Sequence, residues 1–219
     1  MELNKYIDHT NLNAFATTLD IKKLCEEALK YNFKSVCVNP CNVILAKEFL
    51  SNSDVEVCTV IGFPLGSNTT SIKCMEASDA IKNGATEIDM VINIGRLKDK
   101  NYEYIKNEIS EIRKITNAYI LKVIIETCYL DVDEIKIITE ICNELKVDFI
   151  KTSTGFGSVG ATLENVEIIN LNKNNNLEIK ASGGIRDYKK TKEMISAGAT
   201  RIGTSSGVKI MEEFENEII

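Results

Sequence analysis

Residues 120–152 open with Ile120-Leu121-Lys122-Val123-Ile124-Ile125-Glu126, continue through a segment carrying Ile135, Ile138, Ile141 and Leu145, and close on Val147-Asp148-Phe149-Ile150-Lys151-Thr152. A short run rich in β-branched residues, apolar residues at three- and four-residue spacing, and a second short apolar run read as strand, amphipathic helix and strand. The same alternation extends in both directions. Eight strands are predicted: Tyr6–His9, Lys34–Val38, Glu56–Ile61, Glu87–Ile92, Ile120–Glu126, Asp148–Thr152, Glu178–Ala181 and Arg201–Gly203. Between them Ile105, Ile109, Ile112 and Ile115 mark a further helix, Thr18 stands at a helix start, and Gly84 and Gly198 end helices that lead directly into strands. Eight βα units fit an α/β fold of the closed (β/α)8 kind, a TIM barrel, better than an open doubly wound sheet. The chain's 219 residues fall short of the roughly 250 typical of such barrels, so the expectation is one domain over residues 1–219 with short loops.

Composition excludes several functions. A net charge of −6, with acids and bases mixed along the chain, offers no basic stripe to a nucleic acid. No apolar stretch approaches the ~20 residues that span a membrane. Met1-Glu2-Leu3-Asn4-Lys5 lacks the features of a targeting segment, so a cytoplasmic protein is expected. The seven cysteines (Cys25, Cys37, Cys41, Cys58, Cys74, Cys128, Cys142) contain no Cys-x-x-Cys and read as free, mostly buried thiols. His9 is the only histidine, which removes multi-histidine metal sites and leaves chemistry without metal or cofactor as the expectation.

Lys151 and Lys180 each close a short apolar run and each precede a glycine-bearing loop, Thr152-Ser153-Thr154-Gly155 and Ala181-Ser182-Gly183-Gly184. An ammonium buried in a strand is costly, and a lysine attacks a carbonyl only after losing its proton, which burial or a second cation promotes. The two lysines are therefore expected to depress each other's pKa, unless one or both serve as ion-pair partners inside the barrel. Asp89, within Glu87-Ile88-Asp89-Met90-Val91-Ile92-Asn93, shares a strand face with Glu87 and Val91 and is a candidate for moving protons or for pairing with a barrel lysine. Lys122 lies nearer its strand's start, where barrel residues serve stability. Gly183-Gly184-Ile185-Arg186 and Gly203-Thr204-Ser205-Ser206-Gly207 each precede a helix, the usual phosphate position of a barrel, although a plain tight turn also explains paired glycines.

Taken with Asp8-His9-Thr10, Val36-Cys37-Val38-Asn39-Pro40, Val60-Ile61-Gly62-Phe63-Pro64-Leu65-Gly66, Lys122-Val123-Ile124-Ile125-Glu126-Thr127 and Lys151-Thr152-Ser153-Thr154-Gly155, these motifs resemble the deoxyribose-phosphate aldolases through nearly the whole chain. The resemblance implies a class I aldolase that reversibly cleaves 2-deoxy-D-ribose 5-phosphate to acetaldehyde and D-glyceraldehyde 3-phosphate. Lys151 would form the Schiff base, Asp89 and Lys180 would relay protons, and Gly155, Gly183, Gly184, Gly203, Ser205 and Ser206 would hold the phosphate. Cys37 would stand at the barrel mouth, against its plainer reading as a small core residue. Three places depart from the family pattern: Phe156 stands where some members carry a lysine, Val159 where a further glycine is expected, and Phe214-Glu215-Asn216-Glu217-Ile218-Ile219 lacks the tyrosine of certain members. The partners implied are a small phosphosugar and aldehydes, and a homo-oligomer stays open. Competing readings are another Schiff-base aldolase, a phosphosugar isomerase, or a catalytically silent phosphosugar-binding barrel.

Overall fold

A computed structural model describes residues 2–218; Met1 and Ile219, the ends of the two terminal stretches quoted above, lie outside the described residues. Strands β1 (Ile7–Asn11), β2 (Ser35–Val38), β3 (Glu56–Ile61), β4 (Glu87–Val91), β5 (Ile120–Ile124), β6 (Phe149–Lys151), β7 (Glu178–Ser182) and β8 (Arg201–Thr204) pair in parallel and in sequence order, and β8 closes on β1. Helices α1 (Thr18–Tyr31), α2 (Val43–Phe49), α3 (Thr70–Lys82), α4 (Ile94–Lys98), α5 (Tyr102–Ile115), α6 (Val132–Glu144), α7 (Leu163–Asn172), α8 (Tyr188–Ser196) and α9 (Gly207–Ile218) connect them. This is the (β/α)8 barrel that the alternation of apolar runs predicts. No helix among the described residues is long and apolar enough to cross a membrane.

Local chemistry moves a few boundaries. The cap of α1 is Thr17 rather than Thr18: its side chain accepts from the Asp20 amide while the Asp20 carboxylate accepts from the Thr17 amide, satisfying two donors of the first turn reciprocally. β5 stops at Ile124 because Glu126 takes a left-handed conformation (φ 50°) that a strand cannot continue through. Gly84 and Gly198 do follow α3 and α8, with φ of 109° and 118°.

The strands alternate strictly. Outward residues such as Val36, Ile88, Val123, Ile150, Ile179 and Ile202 join the apolar core beneath the helices. The inward positions between them carry Asp8, Glu87, Asp89, Lys122, Lys151, Lys180 and Arg201, all buried. Period-two alternation thus sends hydrophobes to the helices and charges to the barrel axis.

Strand β4 is tied down from outside by a second buried charge pair. Lys73 of α3 donates to the Val91 carbonyl and to Glu108 of α5, both at 2.7 Å, and the other Glu108 oxygen accepts from the Asn93 amide at 2.9 Å. Burial pushes the Lys73 ammonium down and the Glu108 carboxyl up, and their mutual attraction opposes both shifts. Removing one member strands the other in an apolar layer. Lys73→Met is expected to destabilise the fold by about 3–5 kcal/mol, read from the urea midpoint, whereas Lys73→Met combined with Glu108→Leu should lose less.

Candidate active site

Asp89, in the middle of β4, is the hub of the barrel interior. Its Oδ2 accepts from Lys151 Nζ at 2.7 Å and Lys180 Nζ at 2.8 Å, and its Oδ1 accepts from Lys122 Nζ at 2.8 Å and from the Cys58 thiol at 3.1 Å. Strand register produces this convergence: Asp89 pairs with Lys122 across β4 and β5, and Lys151 with Lys180 across β6 and β7. Beneath this layer Lys180 lies 2.6 Å from Asp8, Lys122 lies 2.6 Å from Glu87, and Arg201 bridges Asp8 at 2.7 Å and Glu87 at 3.1 Å.

The electrostatics follow from those contacts. Burial alone would raise the Asp89 carboxyl, but Lys122, Lys151 and Lys180 outweigh it and hold Asp89 well below the usual carboxylate range. Asp8 is held low in the same way by Arg201, Lys180 and Lys122. Burial works against the charge of Lys180, yet Asp8 and Asp89 prevail and its ammonium is raised above its ordinary value. The expectation that the two lysines drive each other to deprotonate therefore needs correction. Two carboxylates accompany them, and Lys180 is stabilised as a cation. Lys122 is likewise raised, by Asp89, Cys58, Glu87 and Asp8 against burial, so it sits among these groups as a buried counter-ion.

Lys151 differs from the other three cations in lining a cavity of about 370 Å³ at the carboxyl ends of the strands. Gly155, Gly183, Gly184, Gly203 and Ser205 line the same cavity, together with Thr10, Ser182 and Thr204. Ser206 does not: its amide donates to Thr204 Oγ1 at 2.9 Å, and the residue lines a neighbouring groove between α1 and α9. The wall needs glycine where loops cross, since a Cβ on Gly160 would lie 2.1 Å from the Gly183 carbonyl oxygen. Val159 has no positive φ, so its place does not require the glycine expected there. Glu126 fixes the loop after β6 by accepting from the Thr154 amide at 3.3 Å and from the Thr154 hydroxyl.

Two cavity residues change the phosphate reading. Phe156 is 58% exposed and packs edge-on against Phe63. Arg186, exposed and lining the same cavity, has no ion-pair partner among the described residues, so the cavity possesses a second side-chain cation besides Lys151. Cys37 is wholly buried beside Leu12, Cys58 and Val60 rather than at the mouth. The sequence places Glu87 on the Asp89 face and Asp8 near the carboxyl ends of the strands, but ties neither to the lysines and does not single out Arg201 or Cys58. The signal was present, as charges at alternate positions of apolar strands, but their partners lie on other strands.

Comparison with known proteins agrees with this geometry. The model of the DeoC/LacD family aldolases matches residues 3–213. The deoxyribose-phosphate aldolase of Caldanaerobacter subterraneus subsp. tengcongensis is 53% identical over 99% of this chain and 95% of its own length. Among solved structures, a putative deoxyribose-phosphate aldolase from Coccidioides immitis superposes with a TM-score of 0.95 at 40% identity, covering 98% of this chain and 86% of that one. A deoxyribose phosphate aldolase from Aeropyrum pernix, described as a unique tetramer, superposes at 0.91 with 32% identity, covering 98% and 92%.

The depressed carboxyls fix a pH dependence. An unfolded Asp takes up its proton near pH 3.9, while Asp8 and Asp89 in the barrel resist, so the unfolded state binds more protons as pH falls. Their contribution is complete above about pH 5 and drains away below it. Urea midpoints measured from pH 6 to pH 3 should fall less steeply for Asp8→Asn than for the wild type, from a lower starting stability.

Proposed function

The chain belongs to the DeoC/LacD aldolase family, and on that footing we propose how its barrel carries out the reversible cleavage of 2-deoxy-D-ribose 5-phosphate to acetaldehyde and D-glyceraldehyde 3-phosphate through a lysine Schiff base. One observation carries the assignment of roles: of the four cations clustered about Asp89, Asp8 and Glu87, Lys151 alone lines the cavity. Lys151 is the nucleophile, Asp89 and Lys180 are the relay, and a single barrel domain supplies all three.

The amine of Lys151 attacks the C1 aldehyde of the open-chain sugar, and loss of water from the carbinolamine leaves an iminium. Acetaldehyde retains C1 and C2, so C2–C3 is the bond that breaks. A base removes the C3 hydroxyl proton, the C3–O bond becomes the carbonyl of the departing glyceraldehyde phosphate, and the C2–C3 electrons move into an enamine. Protonation at C2 and hydrolysis then release acetaldehyde and restore the amine.

Asp89 suits the proton transfers because its affinity for a proton responds to the reaction. Three ammonium neighbours hold it anionic at rest. Lys151 attacks as a free amine, so its ammonium proton leaves first; with one cation fewer beside it the carboxylate is more basic through carbinolamine formation, and the positive charge returns with the iminium from which the C3 hydroxyl proton is removed. Lys180, held charged by Asp8 and Asp89, keeps the layer polarised throughout. The glycines of the loops after β6, β7 and β8, with Ser205, offer amides and a hydroxyl to the phosphate at the common barrel position, and Arg186 adds a cation.

Seven unpaired cysteines support a reducing compartment, and hence the cytoplasm, as the place of reaction. The tetramer described for the A. pernix protein, with Phe15 and Leu19 strongly exposed in this chain, supports association between copies of it.

Incubation with acetaldehyde and borohydride should leave an ethyl group on Lys151, identified by peptide mass mapping; labelling confined to Lys180 or Lys122 would overturn the assignment. Arg186→Ala should raise KM for the phosphorylated sugar by about 10- to 100-fold, the worth of one charge-assisted hydrogen bond, with little change for unphosphorylated deoxyribose. Phe156→Lys should move the same ratio the other way, and equal changes for both sugars would remove residues 156 and 186 from the phosphate site.

A further inference from the structure

Two thiols meet directly behind the candidate relay. Cys37 and Cys58 are register partners across β2 and β3, and both are wholly buried on the inward face with Leu12 and Val60. Their sulfurs and an Asp89 carboxylate oxygen all lie within 4.8 Å of one another. Cys58 donates its proton to Asp89 Oδ1 at 3.1 Å and accepts from Lys122 Nζ at 3.2 Å. No step of the Schiff-base cycle uses either thiol.

The pair is placed to be joined. Adjacent strands hold their backbones about 4.8 Å apart, inside the roughly 4.4–6.8 Å between Cα atoms that a disulfide spans. The two thiols are also unequal. When the single Cys58 proton turns from Asp89 Oδ1 to the Cys37 sulfur, that hydrogen bond, with Lys180 nearby, holds Cys37 below the ordinary thiol range, whereas burial pushes Cys58 well above it. Cys37 thus has the thiolate character that oxidants attack, and Cys58 keeps a proton to give up. A soft divalent ion would find the same two sulfurs and a carboxylate, but it would add positive charge beside Lys122, Lys151 and Lys180. A disulfide adds none. Leu12 packs against the thiol cluster and also lines the substrate cavity, so the thiols lie directly behind the cavity wall.

We propose that Cys37 and Cys58 form a reversible disulfide that switches the aldolase site off when a peroxide enters the barrel; as regulation of that site, the idea rests on the function proposed above. The Cys37 thiolate attacks one peroxide oxygen, the O–O bond breaks, and a sulfenic acid forms as the other oxygen leaves as water. The Cys58 sulfur then attacks the Cys37 sulfur, S–S forms, S–O breaks, and the departing hydroxide leaves as water with the Cys58 proton. Two thiols lose two electrons, and one hydrogen peroxide becomes two waters. The oxidised pair no longer offers Asp89 Oδ1 the S–H donor, and Cys58 Sγ is drawn towards β2, away from the carboxylate and Lys122. The hub of the relay loses one of its four ligands.

The test uses the full chain and hydrogen peroxide. After oxidation and alkylation of remaining thiols, non-reducing peptide mapping should recover a fragment joining Cys37 to Cys58, two hydrogens lighter than its parts, and dithiothreitol should abolish it. Retro-aldol activity should fall in proportion to the linked fraction and return on reduction. In Cys58→Ser the link should be absent and dimedone should label Cys37. A Cys37 sulfinic or sulfonic acid in the wild type, a link through exposed Cys41 instead, or a linked enzyme with full activity would overturn the proposal. The mass readout does not need turnover, so a chain that links Cys37 to Cys58 but never cleaves the sugar would refute the function and leave the disulfide standing.

Discussion

One carboxylate holding three ammonium groups is the constraint around which the barrel interior is arranged. Asp89 carries Lys122 on one oxygen and Lys151 and Lys180 on the other, all with buried side chains. Desolvating so many cations around one anion is unfavourable by several kcal/mol per ion unless other charges compensate. Asp8 and Glu87 supply that compensation and Arg201 ties them together, so the lower layer exists to make the upper layer tolerable. Three carboxylates and four cations leave one positive charge in excess. The member at the cavity is Lys151, where a neutral amine and a cationic iminium must alternate.

Such a cluster demands a stiff container. Every inward charge alternates with an outward hydrophobe, so the strands that carry charge are pinned by helices on one side and by ion pairs on the other. β4, which carries both Glu87 and Asp89, receives an extra clamp from Lys73 and Glu108 at its carboxyl end. The loop after β6 is held by Glu126 in a strained left-handed conformation, a kind of strain that persists where surroundings overdetermine it and that clusters at functional sites. Rigidity beneath the reacting carbon and glycine-rich, amide-lined loops above it divide the work between chemistry and phosphate recognition.

The thiol pair fits the same logic from the opposite direction. β2 and β3 contribute no charge to the central layer, and their inward positions carry Cys37, Cys58 and Val60. A thiol fills that space as a small hydrophobe and, at Cys58, also hydrogen-bonds Asp89, which couples the redox state of the pair to the hub.

Lys151, Lys180 and Asp89 were legible without coordinates because each interrupts an apolar run, and a buried charge requires a reason. The barrel itself was legible because alternating period-two and period-3.6 patterns leave few topologies open at this length. Hidden from the sequence were the partners: that Lys180 is held charged by Asp8 and not only opposed by Lys151, that Lys122 answers to Glu87, that Ser206 turns away while Arg186 faces the cavity, and that Cys37 meets Cys58. Each of these depends on the register of strands far apart in the chain and on the closure of β8 onto β1, which periodicity along one segment does not encode. Which residues are charged, and on which face of their own strand they lie, is local information; which opposite charge each one meets is decided only when the barrel closes.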